Sequence, residues 1–257
     1  MMKEMLRNLS KRIGLYRDLK EIRHRARWFL PREMRRRKAG VRLYSRFIRG
    51  GDLCFDVGAN TGCKTELFLE LGATIICIEP QRECLWSLRK RFGKDHRVVI
   101  VDKALGETEG YAQLHICEEA PTISTMSNPW MTEGRFAKDF VWRKTESVPM
   151  TTLDALINGF GVPRFCKIDV EGYEENVLNG LSRPIPYLSF EFSREFLDAT
   201  ARCINRLLAV GNPRFDFSVG ESMCLGLDTW VEPSELYKAL GTIKDDLLWG
   251  DVYAKFE

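Results

Sequence analysis

The chain has few histidines, no paired cysteine motif and no long apolar run, and each shortage removes a class of function. No stretch approaches the roughly 18 consecutive apolar residues that a membrane-spanning helix needs. The N-terminal segment is basic but lacks the continuous apolar core of a secretory signal. Eight cysteines (Cys54, Cys63, Cys77, Cys84, Cys117, Cys166, Cys203 and Cys224) include no C-x-x-C pair. Three of them fall inside apolar strand-like runs, so reduced, buried thiols are expected rather than disulfides or a cysteine-bound metal. Of the histidines, His24 and His96 sit in basic contexts, and His115 lies in an irregular region as an outside choice for a base. Internal repeats and low-complexity tracts are absent.

The charge is distributed unevenly. Residues 1–50 hold 17 Lys/Arg against 4 Asp/Glu, while the remaining 207 hold 22 against 32. An apolar stripe at helical spacing runs through the basic part: Met5, Leu6, Leu9, Ile13, Tyr16, Leu19 and Ile22. Trp28-Phe29-Leu30-Pro31 and the run Arg35-Arg36-Arg37-Lys38 follow. A basic amphipathic helix of this kind either packs its stripe on the rest of the protein or a second subunit, or lies on an anionic membrane surface. Nucleic acid is not an expected partner. The aromatic residues are not interleaved with the basic ones for base stacking, and no DNA-reading motif is present.

What is there begins with Leu53-Cys54-Phe55-Asp56-Val57-Gly58-Ala59-Asn60-Thr61-Gly62. An apolar strand enters a small-residue turn, and an apolar-periodic helix follows. That arrangement holds nucleotide-like ligands in doubly wound α/β proteins. The dinucleotide fingerprint G-x-G-x-x-G is missing. In its place is Asp56-x-Gly58-x-x-x-Gly62, with a carboxylate two residues before the first glycine. A carboxylate there repels a pyrophosphate and attracts a cation such as S-adenosylmethionine (SAM). A second run, Thr74-Ile75-Ile76-Cys77-Ile78-Glu79, ends in an acid 21 positions after Gly58. Such an acid is placed to bind a ribose diol.

A third element is Phe165-Cys166-Lys167-Ile168-Asp169-Val170-Glu171-Gly172, another buried strand ending in acids and a glycine. With Glu79-Pro80, Ala104-Leu105-Gly106, Thr152-Leu153-Asp154 and the Glu191 of Leu188-Ser189-Phe190-Glu191-Phe192, it completes an ordered series over residues ~50–195. On these motifs the chain resembles the FkbM-type SAM-dependent methyltransferases. The resemblance implies a Rossmann-like class I methyltransferase fold: a mostly parallel seven-stranded sheet, the last strand antiparallel, with helices on both faces. Residues 1–40 are then a basic helical arm and residues 41–257 the methyltransferase domain.

The pattern along the chain agrees with an α/β class. Strands are expected near 53–57, 74–79, 98–102, 165–170, 187–192, 214–219 and 251–256. Helices are expected near 61–71, 81–92, 152–159, 173–181, 194–210 and 233–241. Residues 103–150 interrupt the alternation. Tyr111 to Ile116 reads as an extra strand, and the Ser/Thr-rich Pro121 to Pro129 as a loop in a long irregular insertion that shapes an acceptor pocket.

For the cofactor, Asp56 is expected to orient the turn and face the cationic methionyl end. Gly58 and Gly62 let the backbone close on the ligand. Asn60 and Thr61, at a helix start, suit the methionyl carboxylate. Glu79 takes the ribose hydroxyls, Asp102 the adenine amino group, and Ala104 and Leu105 lie beside the ring. For the acceptor, Asp169 and Glu171 are the leading bases, and Lys167 either lowers a hydroxyl pKa or pairs with a carboxylate. Glu191 ends a neighbouring strand. Three converging carboxylates can also hold a divalent metal, but no tight spacing rule supports one here. The expected activity is O-methylation of a hydroxyl on a small-molecule, glycan or lipid acceptor, in a cytoplasmic protein with peripheral membrane contact and homo-oligomerisation left open. The alternatives are an inactive SAM-fold scaffold acting through the basic arm and, further off, an NAD-dependent oxidoreductase.

Overall fold

A computed structural model describes residues 31–256. The apolar stripe from Met5 to Ile22, Trp28 to Leu30, and His24 lie outside the described residues. Helix α1 (Pro31–Tyr44) is the first described element. The residue-40 boundary of the basic arm falls inside this helix. Gly40, Leu43 and Tyr44 are buried, and an ideal Cβ on Gly40 would stand 2.8 Å from Leu67 Cδ1. Absence of a side chain at residue 40 thus lets α1 lie close on helix α2 (Cys63–Glu70).

The central sheet is built from β1 (Leu53–Val57), β2 (Thr74–Ile78), β3 (Val98–Val101), β7 (Phe165–Ile168), β8 (Tyr187–Ser193), β9 (Arg214–Val219) and β10 (Trp249–Lys255). Their order is β3-β2-β1-β7-β8-β10-β9. β1, β2, β3, β7 and β8 pair in parallel. β10 runs antiparallel to both β8 and β9. All seven strands fall within two residues of the positions expected from the sequence. Chain order reverses between β1 and β7, which opens a crevice at the carboxyl ends of these strands, where such sheets bind ligands.

Strand residues alternate between two cores because successive side chains point to opposite faces. Phe55, Val57, Cys166, Ile168, Leu188 and Phe190 join α5 (Leu153–Phe160), α6 (Glu174–Asn179), α7 (Leu197–Val210) and α8 (Pro233–Thr242) on one side. Cys54, Ile75, Cys77, Phe165 and Tyr253 meet α1, α2 and α3 (Arg82–Phe92) on the other. There, Tyr44 packs edge-on against Phe68 and Phe165, and Phe47 stacks on Phe165 and Tyr253. The end of α1 is therefore part of the core of the main domain.

The insertion is more regular than its sequence suggests. β4 (Ala104–Leu105), β5 (Gly110–Ile116) and β6 (Lys144–Thr151) form a second sheet in the order β4-β6-β5. β5 matches the extra strand expected from Tyr111 to Ile116. β6 escapes the apolar pattern because Lys144, Thr145 and Glu146 open it on an exposed surface and Pro149 interrupts it. Prolines are unusual within paired strands, yet Pro149 stands opposite Tyr111 of β5, and β4 pairs only with Met150 and Thr151. The stretch expected to be a loop holds a single turn of 3-10 helix (Pro121–Ile123) and leads into a short helix, α4 (Asn128–Thr132), capped by the Ser127 hydroxyl.

Candidate active site

The turn after β1 wraps tightly. Gly58 and Ala59 donate backbone N–H bonds to Ile78 O at 2.9 and 3.1 Å. Gly58 has φ +75°, and an added Cβ would stand 1.8 Å from Asp169 O. Asn60 also takes a positive φ, +50°, which Asn tolerates better than most residues. Its N–H donates to Glu79 Oε2 at 2.8 Å, and the N–H of Gln81 donates to Glu79 Oε1 at 2.8 Å. Glu79 thereby ties the two loops together. It is buried, and burial pushes its pKa up to about 7 against the pull of those two N–H groups. Asp56 is also buried and accepts from Thr65 Oγ1 at 2.5 Å. Burial raises its pKa, opposed by Thr65 and Lys167.

A cavity of about 1130 Å³ opens over these loops. Asp56, Gly58, Asn60, Thr61, Glu79 and Ala104 line it. Two of the residues expected at the cofactor stand elsewhere. Gly62 turns toward helix α3, where a Cβ would meet the Phe92 ring at 2.3 Å. Its glycine serves packing of the turn. Asp102 lies just past the end of β3, its side chain 61% exposed and paired with Arg89 at 2.9 Å. It is not among the cavity residues; Lys103, Ala104 and Leu105 line the wall beside it.

On the acceptor side, Asp169, Glu171 and Glu191 line the cavity, with carboxylate oxygens all within 4.8 Å of one another. Glu171 holds a positive φ, +56°, and its carbonyl accepts from Thr125 Oγ1 of the insertion at 2.6 Å. Gly172 follows at φ +88°, against the Trp130 ring. Glu191 Oε2 is buried with no hydrogen-bond partner among the described residues. Burial first, then the neighbouring carboxylates, holds the pKa values of Glu171 and Glu191 well above the usual range. Crowding of this kind favours the protonated form of these acids.

Lys167 is placed differently from the expectation of direct work on the acceptor. It is fully buried under α1 and α2, outside the cavity lining. Its Nζ meets Asp251 Oδ1 at 2.8 Å, Asp169 Oδ2 at 3.2 Å and Ile168 O at 3.2 Å. Alternation along β7 gives the reason: Lys167 is in register with Asp56 of β1, on the α1 and α2 face of the sheet. It touches the site only through Asp169. His115 bonds through Nδ1 to Thr145 Oγ1 at 3.1 Å on the second sheet and does not reach the cavity.

Several functional positions had no local signal. Asp251 belongs to a strand legible in the sequence, but only its antiparallel pairing opposite Glu191 shows that it shares Lys167. Glu174 opens α6 and accepts from Val170 N at 3.0 Å, shaping the loop that carries Asp169 and Glu171. Burial raises its pKa to about 7. Trp130, Phe136, Phe140 and Trp249 give the cavity aromatic walls.

Strand order, crossover and a ligand cavity at the β1/β7 switch point are those of a Rossmann-like class I methyltransferase fold. The methyltransferase FkbM domain matches residues 56–209, and the chain belongs to that family. The family is SAM-dependent, and the residues present fit the cofactor. Glu79 offers a buried carboxylate for hydroxyl groups, and an acid-rich wall suits a sulfonium. Curated proteins compared with the chain give no match. Among solved structures, a precorrin-6y C5,15-methyltransferase from Geobacter metallireducens is similar at 9% identity, covering 86% of this chain and 87% of that one, with a TM-score of 0.46. An rRNA methylase from Streptococcus thermophilus is similar at 9% identity, covering 84% and 93%, with a TM-score of 0.42. Assignment to the family rests on the domain match.

Proposed function

We propose that the protein methylates a hydroxyl group on a sugar, glycolipid or secondary metabolite. The observation that carries this reading is the group of Asp169, Glu171 and Glu191 beside the cofactor turn. SAM supplies an activated methyl group when bound. Everything else falls to the chain: to bind, to align and to take a proton. A hydroxyl has a pKa far above neutrality and needs a base within hydrogen-bond reach. Asp169 is the best placed. Lys167 holds its Oδ2, and its carboxylate faces the cavity. When the methyl group passes from the sulfonium sulfur to the acceptor oxygen, leaving the thioether S-adenosylhomocysteine, Asp169 would receive the hydroxyl proton. Protonated Glu171 or Glu191 can donate hydrogen bonds to other acceptor oxygens.

The cavity size supports a second ligand. Single-ligand pockets commonly span about 300–1,000 Å³, and 1130 Å³ leaves room for an acceptor beside the cofactor. Aromatic walls from Trp130, Phe136 and Trp249 suit the apolar face of a sugar ring or a lipid-linked group. The reading places the protein in the cytoplasm, with the exposed basic side of α1 bearing on an acidic membrane surface. Among the described residues no helix is long and apolar enough to cross a membrane.

Incubation with methyl-labelled SAM and glycan, lipid or metabolite extracts tests the reading. The expected result is a labelled product whose methyl group resists alkaline hydrolysis, as an ether does. Label on carbon or nitrogen, or SAM binding without any labelled product, would move the reading to another transfer or to a scaffold.

A further inference from the structure

The wall of the cavity near the Gly58–Thr61 turn is acidic, with Asp56, Asp169 and Glu221 lining it. Such a wall attracts the sulfonium and ammonium of SAM but repels the carboxylate at its amino-acid end. Lys64, in the first turn of α2, supplies a positive charge there. Its side chain is 18% exposed, and Glu221 Oε2 stands 3.6 Å from its Nζ, too far for a hydrogen bond. Among the described residues this is its one carboxylate within ion-pair distance. Glu221 is held from the other side by α1: Arg36 donates from Nε to Oε2 at 3.2 Å and from Nη2 to Oε1.

Both groups keep their charge. Burial opposes ionisation of Lys64, but Glu221, Asp251 and Asp169 together outweigh it and raise the pKa. Burial likewise opposes ionisation of Glu221, but Lys64 and Arg36 hold its pKa below the usual value. At 3.6 Å the pair makes no hydrogen bond, and both charges line a ligand cavity, so both can still take partners from a ligand. A cation and an anion side by side are the complement of an α-amino acid, which carries a carboxylate and an ammonium on one carbon.

We propose that Lys64 and Glu221 together recognise the amino-acid end of SAM, Lys64 taking the α-carboxylate and Glu221 the α-ammonium, with Arg36 fixing Glu221. The inference rests on the assignment as a SAM-dependent enzyme and names residues that the methyltransferase pattern does not supply.

Titration of the full chain with two compounds provides the test. S-adenosylhomocysteine keeps the amino-acid end, and methylthioadenosine is the same thionucleoside without it. Lys64→Met and Glu221→Gln should each weaken S-adenosylhomocysteine by roughly tenfold or more, the usual scale for a lost hydrogen bond to a charged group, and leave methylthioadenosine unchanged. Lys64→Arg should restore most of the loss, which a fold defect would not allow. Equal weakening of both compounds, or no weakening of either, overturns the proposal while leaving the cofactor assignment standing. Failure of the wild-type chain to bind either compound overturns both.

Discussion

The carbonyl oxygen of Asp169 occupies the place where a Cβ on Gly58 would stand, at 1.8 Å. The ends of β1 and β7 therefore approach closely enough to leave no room for a side chain at residue 58. The backbone N–H of Asp169 reaches Val57 O at 3.0 Å in the same place. One contact sets both the cofactor turn and the residue assigned as the base. Gly58→Ala should cost about 1–3 kcal/mol from overpacking, with an added penalty for the positive φ. Urea unfolding measures the loss. Cofactor affinity and turnover should fall together, because the turn and Asp169 must part. Unchanged stability would show that the two strand ends are not in contact.

Glu79 makes the free protein sensitive to pH. Its folded pKa, about 7, lies above the ordinary 4.5. Below about 4.5 the group is protonated folded and unfolded and contributes nothing. As pH rises through the window up to 7, the folded state keeps a proton that the unfolded state has lost, so stability falls. A shift of this size corresponds to about 3 kcal/mol. Melting temperatures of the free protein should drop across this window, and Glu79→Gln should drop less. Affinity for SAM should rise over the same range, because a carboxylate accepts from ribose hydroxyls better than a carboxylic acid. Parallel melting curves for wild type and variant would show that Glu79 does not carry the shift.

Asp169 and Lys167 should separate into chemistry and support. Asp169→Asn keeps the shape of the side chain and removes the base. Turnover on the true acceptor should fall by roughly 10²–10⁴, the usual contribution of a positioned acid–base group, with cofactor affinity little changed. Lys167→Met leaves Asp251 and Asp169 facing each other without their shared cation. Breaking a buried pair in this way costs about 3–5 kcal/mol, so this variant should first show as a loss of stability. Wild-type turnover in Asp169→Asn would shift the search for the base to Glu171 and Glu191.

Helix α1 presents Arg32, Arg35, Lys38 and Arg42 on its exposed side, at helical spacing. The full chain should sediment with vesicles containing phosphatidylserine and not with neutral ones. The attraction should fade in high salt, because surface charges are screened within a Debye length. Changing these four residues to Gln should remove most of the binding. Equal binding to neutral vesicles, or none to either kind, would leave α1 with a packing role only.

The main sheet was legible because each of its strands carries apolar residues in a short run or in alternation, a local pattern. Gly58, Asn60 and Glu79 were legible for the same reason, since each sits at a strand end or in the turn after it. Four features were not. β6 is stabilised by pairing on a half-exposed sheet, so its polar residues hide it. The direction of Asp102 is decided by Arg89 of a neighbouring helix. The partner of Lys167 comes from Asp251, 84 residues away, through the antiparallel placement of β10. Lys64 and Glu221 are brought together only by the fold.

Calorimetric titration of the full chain with SAM and with NAD tests the central claim most directly. SAM should bind at one site in the micromolar range, about −8 kcal/mol, and Glu79→Ala should weaken it by about 1–3 kcal/mol. NAD should give no comparable heat. Tight binding of NAD with no binding of SAM would contradict the account.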